Sequence, residues 1–261
     1  PYGEHLSEWL YDAGLEVSVV TPRQIKAFAE SGLSRTKTDK KDATLIAQFC
    51  EIQDPMRWEP LPLKHRQLRD WSRRLDSLID MMVQERNRLE GARDGLRVQI
   101  EQHLEELSEK LEQTKEEIRK LIDDDPDLKA DAKLLETIPG VGEATIKTIL
   151  AELGDVRRFH SAKALAAYVG VAPRVRESGQ WKGHTSMCKT GRSQLRKAFF
   201  LPAMTAGRYN PLIKPMTERM LSKGKSKMAI NGARMRKLIH IIYGVLKHRT
   251  PFDPNFQPAR T

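Results

Sequence analysis

The chain has 261 residues and sets 45 Lys and Arg against 35 Asp and Glu, a formal charge of +10, which allows one large domain or two to three small ones. Two cysteines, Cys50 and Cys188, exclude a disulfide framework and a cysteine zinc site, and no apolar run approaches the roughly 20 residues that span a membrane. Residues 157–249 hold 21 Lys or Arg and two acids, Glu177 and Glu218, so one third of the chain is a polyanion-binding surface and the rest is net acidic.

The chain starts at Pro1 with no initiator Met, which reads as a cut, and nothing there resembles a signal peptide. A soluble protein of a reducing, cytoplasmic compartment is expected. Residues 5–13 place Leu6, Trp9 and Leu10 on one helical face, and Gly14 follows as the C-cap. Leu15 to Val20 alternates and is rich in Val, which predicts a strand; Pro22 then opens a second helix. Thr38 is the expected N-cap of a third helix running through Leu45, Ile46 and Phe49. Asp39 and Asp42, three apart, project from one side of its first turn and suit Mg²⁺, which takes carboxylate oxygens beside a phosphate. Acids in a first turn also simply favour the helix dipole, and both readings stay open. Pro55, Pro60 and Pro62 mark a linker.

From Leu63 to Ile122 the pattern is heptad-like: Leu68, Leu75, Met82, Leu89 and Leu96 lie seven apart, and Leu104, Leu111 and Ile118 resume the repeat after a frame shift near Gly91 and Gly95. This predicts two long helices with a break, serving as an oligomerisation arm or folding on each other as a hairpin, with the arm favoured. Residues 131–153 read as helix, tight turn at Pro139-Gly140-Val141-Gly142, and helix: a helix-hairpin-helix pattern, in which turn N–H groups face a phosphate, with a hairpin used only for packing as the other reading. Pro173 to Phe200 then sets Ser178, Ser186 and Ser193 among Arg and Lys, with Gly179, Gly183 and Gly191 allowing close backbone approach. A hydroxyl on a flexible loop among cations suits attack on a phosphodiester, since cations stabilise the phosphorane; a loop that merely grips phosphate is the other reading. Two basic helices follow, around Ile213 to Leu221 and Met228 to Lys247, the second with Ile230, Met235, Leu238, Ile242 and Leu246 inward.

The order of PYGEHLSEWL, LEVSVVTP, KTDKKDA, a coiled-coil segment, IPGVGEAT, AYVGVAPRVRESG, KTGRSQLRKA and KMAINGARMRKLI resembles insertion-sequence transposases of the DEDD type, insertion sequence family 110, over nearly the whole chain. The resemblance implies an N-terminal ribonuclease-H-like domain similar to the Holliday-junction resolvase RuvC, where four acids, Asp-Glu-Asp-Asp, bind Mg²⁺. Asp39 and Asp42 match the last two. The first Asp and the Glu would precede Pro1 (Glu4 is not that Glu), so half of a metal site is expected here. The family's C-terminal domain, similar to residues 130–255, carries a serine nucleophile in Arg-x-x-x-Ser-Gly. Arg174-Val175-Arg176-Glu177-Ser178-Gly179 matches it and puts Ser178 ahead of Ser186 and Ser193. DNA cleavage through a transient phosphoserine, acids of one subunit assisting a serine of another in a homodimer or homotetramer, and a structured guide RNA all come with the resemblance.

The expected fold is mainly α: the C-terminal part of a RuvC-like α/β domain over residues 1–62, a coiled-coil segment over 63–125, and a helical domain over 126–261 containing the helix-hairpin-helix. Expected nucleic-acid contacts are Gly140, Gly142, Lys147, Arg174, Arg176, Lys182, Lys189, Arg192, Arg196, Lys197, Arg234, Arg236 and Lys237. Expected catalytic groups are Ser178, Asp39 and Asp42, the latter two with Mg²⁺, in a nucleoid-associated enzyme. A resolvase-type metal nuclease, in which water attacks, and a non-catalytic nucleic-acid-binding module are the two other readings.

Overall fold

The computed structural model describes residues 2–31, 38–174, 177–178, 181–183 and 186–256, and helices form nearly everywhere that apolar spacing predicts them. The chain divides into two compact units, Pro1–Leu61 and Pro62–Thr261.

The first unit holds α1 (Tyr2–Asp12), α2 (Pro22–Ser31) and α3 (Asp39–Gln53). Gly14 follows α1 at φ 79, the left-handed residue expected there. Thr38 caps α3, accepting the Lys41 N–H at 3.3 Å. The strand expected over Leu15–Val20 does not form. A strand needs a neighbour to take its N–H and C=O groups, and among the described residues of this unit none is present. The segment stays extended and is held by single bonds instead. The Trp58 N–H donates to the Val17 carbonyl at 2.7 Å and the Ser18 hydroxyl to the Pro55 carbonyl at 3.0 Å. Phe28 meets Phe49 edge-on at 5.4 Å, joining α2 to α3, and Phe49 is the one buried hydrophobe among the described residues of the unit.

The second unit begins with α4 (Leu63–Glu90) and α5 (Asp94–Asp123), broken where the frame shift and glycines put the break. The two helices pack on each other within the chain, so the heptads build an intramolecular hairpin. Leu68, Leu75 and Leu78 are buried on α4, and Ile100, Leu107 and Ile118 on α5. Leu96, expected in the seam, sits in the first turn after the break and is exposed. The base of α4 is welded to α7 (Glu143–Leu153) by polar ties along one face. His65 Nδ1 lies 2.8 Å from the Leu150 carbonyl, Arg73 3.8 Å from Glu152, and Asp76 3.6 Å from Lys147.

Helix α6 (Pro126–Glu136) starts on an Asp125 cap that accepts two N–H groups at 3.0 Å, with Pro126 preset for the first turn. The chain then turns into α7, passes a 3-10 turn (Val156–Arg158), and forms α8 (Ala162–Val169) on a Ser161 cap. Two short ladders follow, β1 (Pro173–Arg174) with β4 (Ser186–Met187) and β2 (Glu177–Ser178) with β3 (Trp181–Lys182). Helices α9 (Ser193–Ala198), α10 (Phe200–Tyr209), α11 (Lys214–Ser222) and α12 (Lys227–His248) complete the unit. Pro202 lies in the first turn of α10, where its missing N–H costs nothing. The core gathers around α12, whose inward Ile230, Met235, Leu238, Ile242 and Leu246 are all buried as expected. It packs against α6, α8, α10, α11 and the 3-10 turn.

Lys147 is 7% exposed, and burial pushes its ammonium below the usual lysine range against the pull of Asp76. Asp76→Asn therefore strands a buried charge. It should lower stability by about 1–3 kcal/mol in urea denaturation, whereas adding Lys147→Met to it should restore most of the loss.

Candidate nucleophile and nucleic-acid interface

Ser178 stands on a clamped β-ribbon, not on the free loop that its glycines suggested. Pro173 pairs with Met187 and Arg174 with Ser186; Glu177 pairs with Lys182 and Ser178 with Trp181. Two residues separate the ladders on one strand and three on the other, so the register steps by one residue between them. At the base, the Cys188 N–H donates to the Ala172 carbonyl at 2.8 Å and the Arg192 N–H to the Tyr168 carbonyl at 2.9 Å. Gly191, at φ 152, has no room for a side chain: a Cβ would lie 2.5 Å from the Tyr168 carbonyl oxygen and 2.7 Å from the Gly170 nitrogen. Gly170, at φ 81, ends α8, and the Arg196 guanidinium closes over it to donate to the Val169 carbonyl at 3.2 Å. Both ends of the ribbon are thus fixed to the junction of α8 and α9. Arg174 and Ser186, opposed on the ladder next to the base, are exposed, as is Ser178 on the ladder beyond it. Ser193 is exposed in the first turn of α9. Gly179 and Arg176 lie outside the described residues, as does the side chain of Lys182 in β3.

The expected phosphate-facing groups separate into two sets. Arg174, Lys189 and Lys197 are exposed, and Arg236 and Lys237 are half-buried along α12. Four others are tied inward. Lys147 is buried beside Asp76, which removes it from the surface where it was expected. Arg192 donates to the Tyr168 hydroxyl at 3.0 Å and faces buried Glu152 at 3.7 Å; Arg196 caps α8; Arg234 donates to Thr217 Oγ1 at 3.0 Å. The turn glycines separate likewise. Gly140, at φ 97, is packed on α10, where a Cβ would stand 2.7 Å from the Ala206 nitrogen, and the Asn210 amide donates to the Pro139 carbonyl at 3.3 Å. The glycine expected to face phosphate therefore faces protein backbone, and Gly142, exposed at the start of α7, remains outward. Sequence reading missed Lys227 and Arg208, which are exposed near α10 and the start of α12. Their positive charge was the available signal.

In the first unit, Asp39 is exposed and Asp42 half-buried, both in the first turn of α3. Their carboxylate chemistry suits a divalent cation. Among the described residues, however, no group of three His, Cys, Asp or Glu gathers around a common point. No described helix is long and apolar enough to cross a membrane.

Residues 132–218 match the family model described as "Transposase IS116/IS110/IS902 family", and residues 1–98 match the DEDD IS110 model described as "Transposase". The chain is 36% identical over 255 residues to the pilin gene-inverting protein of Moraxella bovis, an alignment covering 97% of this chain and 79% of that protein. Its counterpart in Moraxella lacunata shows the same identity and coverage. A transposase for insertion sequence element IS1111A, from Coxiella burnetii, is 35% identical over 66 residues, which is 25% of this chain and 18% of that protein.

Beside the half-buried cations of α12 stands His240, itself half-buried, with a ring Nε2 that lacks a hydrogen-bond partner. Burial, then the charges of Arg236, Lys237 and Lys163, hold its pKa below the usual 6.5. The folded state therefore binds fewer protons here than the unfolded state, and this contribution to stability is lost as pH falls below 6.5. The urea midpoint should drop between pH 7.5 and 5.5, and His240→Gln should show a smaller drop.

Proposed function

Since this chain belongs to the IS110 family of transposases and is a DNA transposase or recombinase, we propose that it cuts and rejoins DNA through a transient phosphoserine at Ser178. The observation that carries the reading is the exposed Ser178 on a ribbon fixed at its base, within the most basic third of the chain. The Ser178 oxygen attacks the scissile phosphorus, forming an O–P bond as the bond to one deoxyribose oxygen breaks. The hydroxyl proton leaves with that deoxyribose oxygen. A hydroxyl of another strand then attacks the phosphoserine, restores the diester and returns the proton to Ser178. Each bond broken is matched by one formed, so no external energy source is needed. Exposed Arg174 and Lys189, nearby in the chain, suit the extra negative charge of the phosphorane.

Asp39 and Asp42 are the residues that would hold Mg²⁺, whose charge neutralises phosphate oxygens when bound. Their shared place in the first turn of α3, with Asp39 exposed, supports this role. A structured guide RNA is the further polyanion in this reading, and the concentration of Lys and Arg over residues 157–249 supports polyanion binding. A homodimer or homotetramer is supported by the far end of the α4–α5 hairpin, where Ile79, Val83, Leu96 and Val98 are exposed. In such an assembly the acids of one copy would serve the serine of another.

Ser178→Ala should abolish a protease-sensitive protein–DNA adduct on denaturing gels while leaving DNA affinity within about twofold. An adduct that survives in Ser178→Ala and disappears in Ser186→Ala would move the nucleophile; cleavage to free ends with no adduct would favour attack by water. In a salt titration, roughly 6 to 10 phosphate contacts should cost about three to five decades of affinity between 50 and 200 mM. A flat titration would remove the charge argument.

A further inference from the structure

Two adjoining clefts run along the N-terminal half of α12, and of their lining residues the chemistry proposed for Ser178 draws on Lys189 alone. One, of about 610 Å³, opens between the foot of the ribbon, α9 and α12; the other, of about 470 Å³, between α10, α11 and α12. Phe200, Met228 and Asn231 line both, so they form one groove. Each is in the range of pockets that hold small organic groups, roughly 300–1,000 Å³.

The groove combines two surfaces that rarely occur together. Its walls are apolar: Met187, Phe200 and Leu201 on one side, Met204 and Leu221 on the other, with Met228 between. Leu201 and Met228 are 69% and 67% exposed, far more than their chemistry favours. The rim is cationic. Lys189 and Lys197 border the first cleft, Arg208 and Lys227 the second, and among the described residues no Asp or Glu lines either. Burial, and then the charge of Arg208, lowers the pKa of Arg234 in the second cleft. Where the clefts meet, Asn231 is 4% exposed. Its amide nitrogen donates to the Phe200 carbonyl at 3.2 Å, which fixes the amide orientation, and its oxygen has no partner.

We propose that this groove binds an unpaired DNA strand, with bases laid against Phe200 and Met228 and phosphates on the lysine and arginine rim. A duplex offers its phosphates to such a rim but keeps its base faces stacked, so the apolar wall would stay wet. A single strand satisfies both surfaces, since aromatic and thioether groups accept the face of any base. The wall also favours deoxyribose, because a ribose 2′-hydroxyl pressed against methionine and leucine loses water without gaining a partner. Strand cleavage by the proposed chemistry would release single strands beside the foot of the ribbon, so the proposal deepens that reading, while the residues that test it, Phe200 and Met228, take no part in that chemistry.

The test is fluorescence anisotropy at fixed salt with a labelled mixed-sequence DNA strand, its duplex, and the RNA strand of the same sequence. The whole chain is used in the Ser178→Ala background, so that adduct formation plays no part. Phe200→Leu keeps the apolar volume and removes the ring face; Met228→Gln alters an exposed residue without changing charge. Each should weaken single-stranded DNA binding by roughly tenfold, within the range of one lost base stack, and leave duplex binding within about twofold. Cross-links from 5-iododeoxyuridine in the strand should map to residues 198–204 or 228–235. Equal weakening of strand and duplex, no weakening of either, or cross-links elsewhere would overturn the proposal. RNA bound as tightly as DNA and as sensitive to both variants would overturn the assignment to DNA. Anionic phosphatidylserine vesicles that displace the DNA strand and bind equally well to Phe200→Leu would assign the wall to lipid instead.

Discussion

One 22-residue helix, α12, is the surface on which the C-terminal part of the molecule is assembled. Its buried stripe, from Ile230 through Leu238 and Ile242 to Leu246, meets α6, α8, α10 and the 3-10 turn. Burial of each such side chain is worth roughly 1.5–3 kcal/mol relative to exposure, so the helix cannot rotate to present a different face. This constraint places its cations. Arg234, Arg236 and Lys237 are left at the margins of the stripe, half-buried, and burial together with nearby cations lowers the pKa of His240 beside them. Near the other end, the Tyr243 hydroxyl donates to the Phe159 carbonyl at 2.9 Å and accepts from Lys247, which ties the segment entering α8 to the same helix.

Two contacts between backbones translate that helix packing into a position for the ribbon. Gly140 lies against Ala206 and Gly170 against Gly191, in each case too closely for a Cβ. Such approaches are stiff because a backbone cannot change rotamer as a side chain can. The first fixes the turn between α6 and α7 on α10. The second binds the end of α8 to the start of α9, and the ribbon carrying Ser178 emerges between them. The turn resembling a phosphate-binding hairpin thus serves packing through one glycine and leaves the other at the surface.

Charge is used in two ways in the same unit. Buried Glu152 collects Arg73 and Arg192, and buried Lys147 takes Asp76, joining the hairpin base, α7 and the start of α9. These pairs specify which surfaces meet more than they add stability, since desolvation offsets much of their attraction. The remaining cations face water with few acids near them in sequence: from Ser186 to Lys237 the single acid is Glu218. That imbalance is tolerable alone and favourable once phosphates replace small counterions.

The sequence by itself determined the helical elements, the α12 stripe, the caps at Thr38 and Gly14, the break between α4 and α5, and the concentration of positive charge. Each depends on neighbours within about one or two turns, where spacing and cap chemistry suffice. The strand at Leu15–Val20 was misread because β structure requires a partner strand that alternation cannot supply. Sequence left hairpin and arm both open because a heptad reports an apolar seam and not which chain covers it. Lys147, Arg192, Arg196 and Arg234 carry the same charge as Lys189 and Lys197, and only the folded chain decides which point inward, because their partners lie on other helices. Tertiary structure likewise turned a glycine-rich loop into a clamped ribbon, and it joined Phe200, Met228 and Asn231 into one groove, since residues some 30 positions apart meet only when α10 settles on α12.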